Sequence, residues 1–183
     1  MANGSDSEIL RLISKEQGRE AGFELLLDTY KERLYWHIRR MVHSHEDADD
    51  LLQEVFIKVW RKIDAFRGDS KIYTWLYRVA TNETLSFLKR RKKKQTINLA
   101  GENYDLAEIL RADPYFDGDD IQIRLKCAIE KLPEKQRLVF NMRYYNEMRY
   151  SEISGALGTS EGALKANYHL AVKKIEKEFK AHG

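Results

Sequence analysis

A single cysteine, Cys127, and only two prolines, Pro114 and Pro133, occur in the whole 183-residue chain. One thiol excludes an intramolecular disulfide and a cysteine-based zinc cluster, and it fits a reducing compartment. No apolar run approaches the about 18 residues that a membrane-spanning helix needs. The polar start MANGSDSE has no basic stretch leading into an apolar core, so no secretory signal is visible. A cytoplasmic protein without direct membrane insertion is therefore expected. Charge of one sign barely dominates, since 32 Lys and Arg face 29 Asp and Glu for a net +3. Nothing resembles a phosphate-cradling loop, a nucleophile elbow or a catalytic triad, so neither catalysis nor a cofactor is expected.

Strict alternation is as scarce as proline, and apolar residues recur instead at helical spacing. Ala48, Leu51, Leu52, Val55, Phe56, Val59 and Trp60 make one stripe of a helix. Phe23–Met41 reads as another helix, with Phe23, Leu26, Leu27, Tyr30, Leu34 and Ile38 inward. The segments Ile121–Lys131, Glu134–Tyr145, Tyr150–Leu157 and Ser160–Lys180 read as four more. Residues 95–120 differ, carrying seven carboxylates against Arg111 together with glycines and Pro114. They read as an acidic flexible linker with at most a short helical turn around Leu106–Leu110. The expected fold is all-α, two small helical domains at residues 5–94 and 121–183, the second a helix-turn-helix.

Between Asp47 and Lys94 a helix dense in aromatics and hydroxyls, IYTWLYRVATNETLSFLK, ends on six basic residues, Lys89 to Lys94. Stacking side chains beside a cationic track suit an opened nucleic-acid strand. Trp75, Leu76 and Val79 are expected in the core, and Thr74, Arg78, Thr81 and Asn82 on the surface. Thr81 and Asn82 can hydrogen-bond bases or phosphates, and Lys89, Arg90 and Arg91 can neutralise backbone charge. The turn before this helix mixes Phe66, Arg67, Asp69, Ser70 and Lys71 around Gly68, the chemistry a pocket for an unstacked base requires. An ordinary helix-capping turn and a solvated helix end remain open for the same residues.

The run YSEISGALGTSEGALKANYHLAVKKI has helix-turn-helix grammar. Gly158 suits the tight turn, Ser160 the cap of the second helix, and Glu161 its first turn. Leu164, Tyr168, Ala171, Val172, Ile175 and Phe179 share one face of that helix. Glu161, Lys165, Ala166 and His169 lie opposite, flanked by Asn167 and Lys173, where a major groove would be met. Two short helices joined by glycine also occur in proteins that bind no DNA.

The cluster His43, His45, Glu46, Asp47, Asp49 and Asp50 superficially suggests metal ligation. Negative charge in a first helical turn has a simpler role beside the helix dipole, and no metal site is expected. With Gln53 and Glu54, these carboxylates read as a docking face for a protein partner.

With both segments in view, the chain resembles the extracytoplasmic-function sigma factors of bacterial RNA polymerase. DADDLLQEVFIKVW and FRGDSKIYTWLYRVATNE are similar to sigma region two, and LPEKQRLVFNMRYYNEMRYSEISGALGTSEGALKANYHLAVKKIEKEF to region four. The resemblance implies that Asp47, Asp50, Gln53 and Glu54 face core RNA polymerase. It implies that Phe66–Lys71 capture a base flipped from the melted non-template strand of the minus-ten element. Thr81 and Asn82 would lie beside the upstream edge of that element, and Lys89–Lys94 along its backbone. Ser160, Glu161, Lys165, Ala166, Asn167 and His169 would meet promoter duplex at the minus-thirty-five element. An anti-sigma factor is the implied regulator. Three positions depart from the family pattern, which often has Ser-Arg where Ala166-Asn167 stand and commonly Arg at Leu170. Two rival readings stay open: a free-standing helix-turn-helix regulator and a metal-dependent enzyme using the His43–Asp50 cluster.

Overall fold

The structure, a computed structural model, describes residues 3–66, 68, 70–97 and 119–181, which hold eight α-helices and no strand. Four helices make the first half: α1 (Asn3–Ile13), α2 (Arg19–Val42), α3 (His45–Lys62) and α4 (Ile72–Ile97). Four make the second: α5 (Asp120–Glu130), α6 (Glu134–Tyr144), α7 (Tyr150–Leu157) and α8 (Glu161–Ala181). The expected turn at Leu106–Leu110, and residues 98–118 of the expected linker, lie outside the described residues.

The expected apolar stripes are the ones buried. On α3, Ala48, Leu51, Leu52, Val55, Phe56 and Val59 are all inside, and on α2 so are Leu26, Tyr30, Leu34 and Ile38. Ser44 caps α3 by accepting from the Asp47 amide at 3.3 Å, which accounts for the carboxylates crowding its first turn. His43 ends α2 in the left-handed region at φ 63, and His45 pairs with the Tyr35 hydroxyl. The histidines of the suspected ligand cluster thus terminate one helix and brace the next.

α1 is an element the sequence reading lacked. It buries Ile9 against α2 and hydrogen-bonds Asp6 to the buried Tyr30 hydroxyl. The approach is close at Gly22, where a Cβ would fall 2.9 Å from the Ile13 backbone nitrogen. α4 also runs further than the hydroxyl-rich segment, carrying the basic residues on as helix to Ile97. Lys and Arg are good helix formers, so a cationic run need not fray.

One apolar core joins the two halves. Leu26, Tyr77 and Leu76 of the first half belong to the same buried cluster as Val139, Met142, Ile153 and Leu164 of the second. A smaller cluster of Ala128, Ile129, Leu132, Phe140, Ala171 and Ile175 fills the far side of the second half.

Candidate nucleic-acid interface

α3 presents two faces. Opposite its buried stripe, Asp50, Gln53 and Glu54 are exposed, and Ile57 completes the i, i+3, i+4, i+7 row at 53 % exposure. Sequence reading passed over Ile57 because one apolar residue among polar ones carries no periodic signal. Ile57 is the apolar member of an otherwise polar row. Asp47 stands apart, its carboxylate bound by Arg91 of α4 at 2.7 Å. That ion pair links the suspected docking helix to the basic run.

The turn before α4 retains part of the expected pocket chemistry. Phe66 stands half-buried against Trp75, ring centroids 5.4 Å apart, and Ser70 and Lys71 are exposed. Gly68 has φ 77 with open space around it, a conformation that favours glycine. Arg67 and Asp69 lie outside the described residues. Lys71 reaches Glu152 of α7 at 3.2 Å.

The surface expected along α4 divides. Asn82 is exposed, as are Lys89, Arg90 and Arg91. Thr81 is a correction: it is fully buried, with Oγ1 2.9 Å from His37 Nε2. Thr74 is likewise buried, beneath Gly155 of α7. A threonine can fill an interior position when its hydroxyl finds a partner, and that partner lies 44 residues away in sequence. Leu76 is core as expected, while Trp75 and Val79 are only partly covered.

His37, which the sequence reading did not single out, is 1 % exposed. Its Nδ1 lies 3.3 Å from Asn146 Oδ1, so Nδ1 carries the proton and Nε2 accepts from Thr81. Burial, with smaller help from the Arg40 charge, pulls its pKa down to about 4. Burial also raises Tyr77 and Tyr145 and lowers Arg40, whose guanidinium lies 4.4 Å from the Tyr145 ring centre. All these groups sit where the two halves meet.

In the second half, the helix-turn-helix forms as the sequence suggests. α7 ends on Gly158 at φ 65, and the Ser160 hydroxyl accepts from the Ala163 amide at 3.4 Å. Leu164, Ala171 and Ile175 anchor α8 inward. Glu161, Lys165, Ala166 and His169 are exposed on its other face. Lys165 pairs with Glu161 at 3.7 Å and lies 5.7 Å from the Tyr150 ring centre. Asn167 turns its amide back to the Ala163 carbonyl at 2.9 Å, which engages one of its two N–H donors.

The outward face of α8, the exposed row of α3 and the cationic end of α4 are therefore three separate polar surfaces on one scaffold. Comparison with known proteins gives this arrangement a family. Residues 26–94 match the model of Sigma-70 region 2, and residues 122–175 that of Sigma-70, region 4. The chain is 30 % identical over 169 residues to the ECF RNA polymerase sigma-E factor of Escherichia coli K12, covering 88 % of each chain. It is 29 % identical over 178 residues to the ECF RNA polymerase sigma factor SigW of Bacillus subtilis, covering 93 % of this chain and 95 % of that one. Among solved structures, its fold is similar to CnrH in complex with the cytosolic domain of CnrY, at TM-score 0.72 and 20 % identity over 98 % of this chain and 99 % of that one. It is similar also to the sigma factor RpoE of Bartonella quintana in complex with the anti-sigma factor NepR, at TM-score 0.71 and 21 % identity over 86 % of this chain and 96 % of that one. The chain belongs to the ECF sigma factors of RNA polymerase.

Proposed function

We propose that this chain directs core RNA polymerase to two-element promoters and traps the melted non-template strand, acting in the cytoplasm and without catalysis of its own. The observation that carries the reading is the order of regions two and four on two helical halves, each with a polar face turned away from the shared core. Asp50, Gln53, Glu54 and Ile57 would dock on core polymerase, the isoleucine giving the row a desolvated centre. The Phe66–Trp75 pair would wall a site for a flipped base, with Ser70 and Lys71 at its rim. Asn82 and Lys89–Arg91 would follow the strand, each stacked base contributing about 1–3 kcal/mol to opening. Thr81 would position His37 rather than touch DNA.

Upstream, Lys165, Glu161 and His169 would meet base edges at the minus-thirty-five element. Ala166 offers no polar group, so base preference there would rest on fewer side chains than the family pattern provides. An anti-sigma factor would hold the protein in check, as NepR is bound to RpoE of Bartonella quintana. The test is transcription by purified core polymerase with this chain on a randomised promoter library. Defined start sites with two enriched elements are expected; random or absent initiation would overturn the reading.

A further inference from the structure

The seam between the halves is more specific than a shared core requires. The loop between α6 and α7 inserts Asn146 beneath α2 and α4, where it is 7 % exposed. Its backbone carbonyl accepts from the Tyr73 hydroxyl at 3.1 Å. Its amide nitrogen donates to the Tyr77 hydroxyl at 3.0 Å, and its amide oxygen accepts from His37 Nδ1 at 3.3 Å. The next residue, Glu147, turns the loop back at φ 54, a left-handed conformation that a glutamate adopts at a cost. One asparagine thus fills three hydrogen-bonding positions of the other half. Pulling it out takes the acceptor from His37 Nδ1 and one of two partners from the Tyr77 hydroxyl.

Around this plug, α7 lies along α4. A Cβ at Gly155 would sit 2.9 Å from Thr74 Cγ2. Arg78 donates through Nε to the Gly155 carbonyl at 3.0 Å, and Lys71 pairs with Glu152. Further out, Arg40 covers Tyr145, and His43 meets Glu130 at 3.1 Å. From Lys71 to Asn82 the helix rises about 17 Å at 1.5 Å per residue. A strand running from the Phe66–Lys71 turn to Asn82 and on to Lys89–Arg91 has to cross Thr74 and Arg78. There α7 covers Thr74 and ties down Arg78, which stays exposed, through the Gly155 carbonyl.

We propose that the α6–α7 loop is an intramolecular latch: Asn146 holds the free chain closed, with α7 seated on the path that the melted strand takes in the holoenzyme. The latch rests on the reading of α4 as that path. Until it is released, only the open fraction of the chain is competent, and apparent promoter affinity falls by that fraction. Partners that separate the halves, core polymerase first among them, activate the protein without touching the latch residues.

A reversible lock tests this. In a Cys127→Ser background, Thr74→Cys with Gly155→Cys places two thiols where a disulfide can pin α7 to α4. With core polymerase, the oxidised chain should give at least about tenfold fewer defined transcripts than the same chain after reduction. Equal activity of the two forms overturns the latch. A second measurement stands apart from transcription: the distance between spin labels at Lys62→Cys and Lys177→Cys in the free, full-length chain. A single narrow distribution is expected, shifting to longer distances when Asn146→Ala is added. A distribution that is broad from the start, or unmoved by Asn146→Ala, overturns the latch, and it decides the matter if the reduced cysteine pair is itself inactive. Failure of the unaltered chain to start transcription anywhere would sink the proposed function instead, leaving the label distances to judge the closure.

Discussion

Burial leaves His37 neutral at pH values where an imidazole in water already carries a second proton. Its pKa in the fold is about 4, against 6.5 when exposed. The unfolded chain therefore binds the extra proton first as pH falls, and it is the unfolded chain that gains. The stabilisation is complete above pH about 6.5 and drains between there and 4. At pH 5 the loss from this group is about 2 kcal/mol. The groups around it are Arg40 on its own helix, Tyr77 and Thr81 of α4, Asn146 of the second half, and Tyr145 through Arg40. None offers a carboxylate to welcome the charge. A His37→Gln chain, which keeps hydrogen-bonding capacity without titrating, should start less stable at pH 7.5 but lose less on acidification. Urea midpoints at pH 7.5 and 5 check this, and parallel losses in the two proteins would show that His37 is not the titrating group.

At the scale of elements, α3 shows what a sequence pattern can and cannot convey. Its buried stripe repeats every three or four residues, so it is legible without coordinates, and the helices of the second half are legible for the same reason. α1 is not, because Ile9, Leu10, Leu12 and Ile13 crowd into little more than one turn after a polar start and set no repeating period. Thr74, Thr81 and Asn146 are harder still. Each is polar, so each reads as surface, and its partners lie on elements brought together only by folding. The candidate docking row is likewise half visible: the carboxylates declare themselves, whereas Ile57 matters only because nothing covers it. That row supports a prediction. Ile57→Glu should weaken binding to core polymerase by about 2 kcal/mol if the isoleucine is the desolvated centre. Asp50→Lys should reduce affinity chiefly through association rate and salt dependence. Stopped-flow and equilibrium titration with labelled core separate the two effects. Unchanged affinity in both variants would remove the row from the docking surface.

For the whole molecule, two motif blocks separated by an acidic stretch suggest two helical domains, and the described residues add that the two share a core. The shared core has a physical source. Neither half covers all its apolar surface alone: Val139, Met142, Met148, Ile153 and Ala156 fall in the same buried cluster as Tyr73, Leu76 and Tyr77. Hydrogen bonds that Asn146 accepts from Tyr73 and His37 and donates to Tyr77 then fix how the halves meet. Shared burial couples their stabilities, because opening the seam exposes apolar area on both sides. The chain carries its own probe for this coupling, since Trp36, Trp60 and Trp75, its three tryptophans, all lie in the first half. Tryptophan emission reports that half alone, whereas far-ultraviolet circular dichroism reports the helices of both. In urea the two signals should trace one transition for the unaltered chain, the mark of a single cooperative unit. Asn146→Ala strips the acceptor from His37 Nδ1, left unsatisfied at about 1–3 kcal/mol while the seam stays shut, and removes one of the two partners of the Tyr77 hydroxyl. The cheaper course for that variant is to part the halves, after which the second half unfolds by itself. Its dichroism should begin to fall at lower urea than its fluorescence. Separate curves in the unaltered chain would mean that the halves already fold alone, with the shared core contributing little to either.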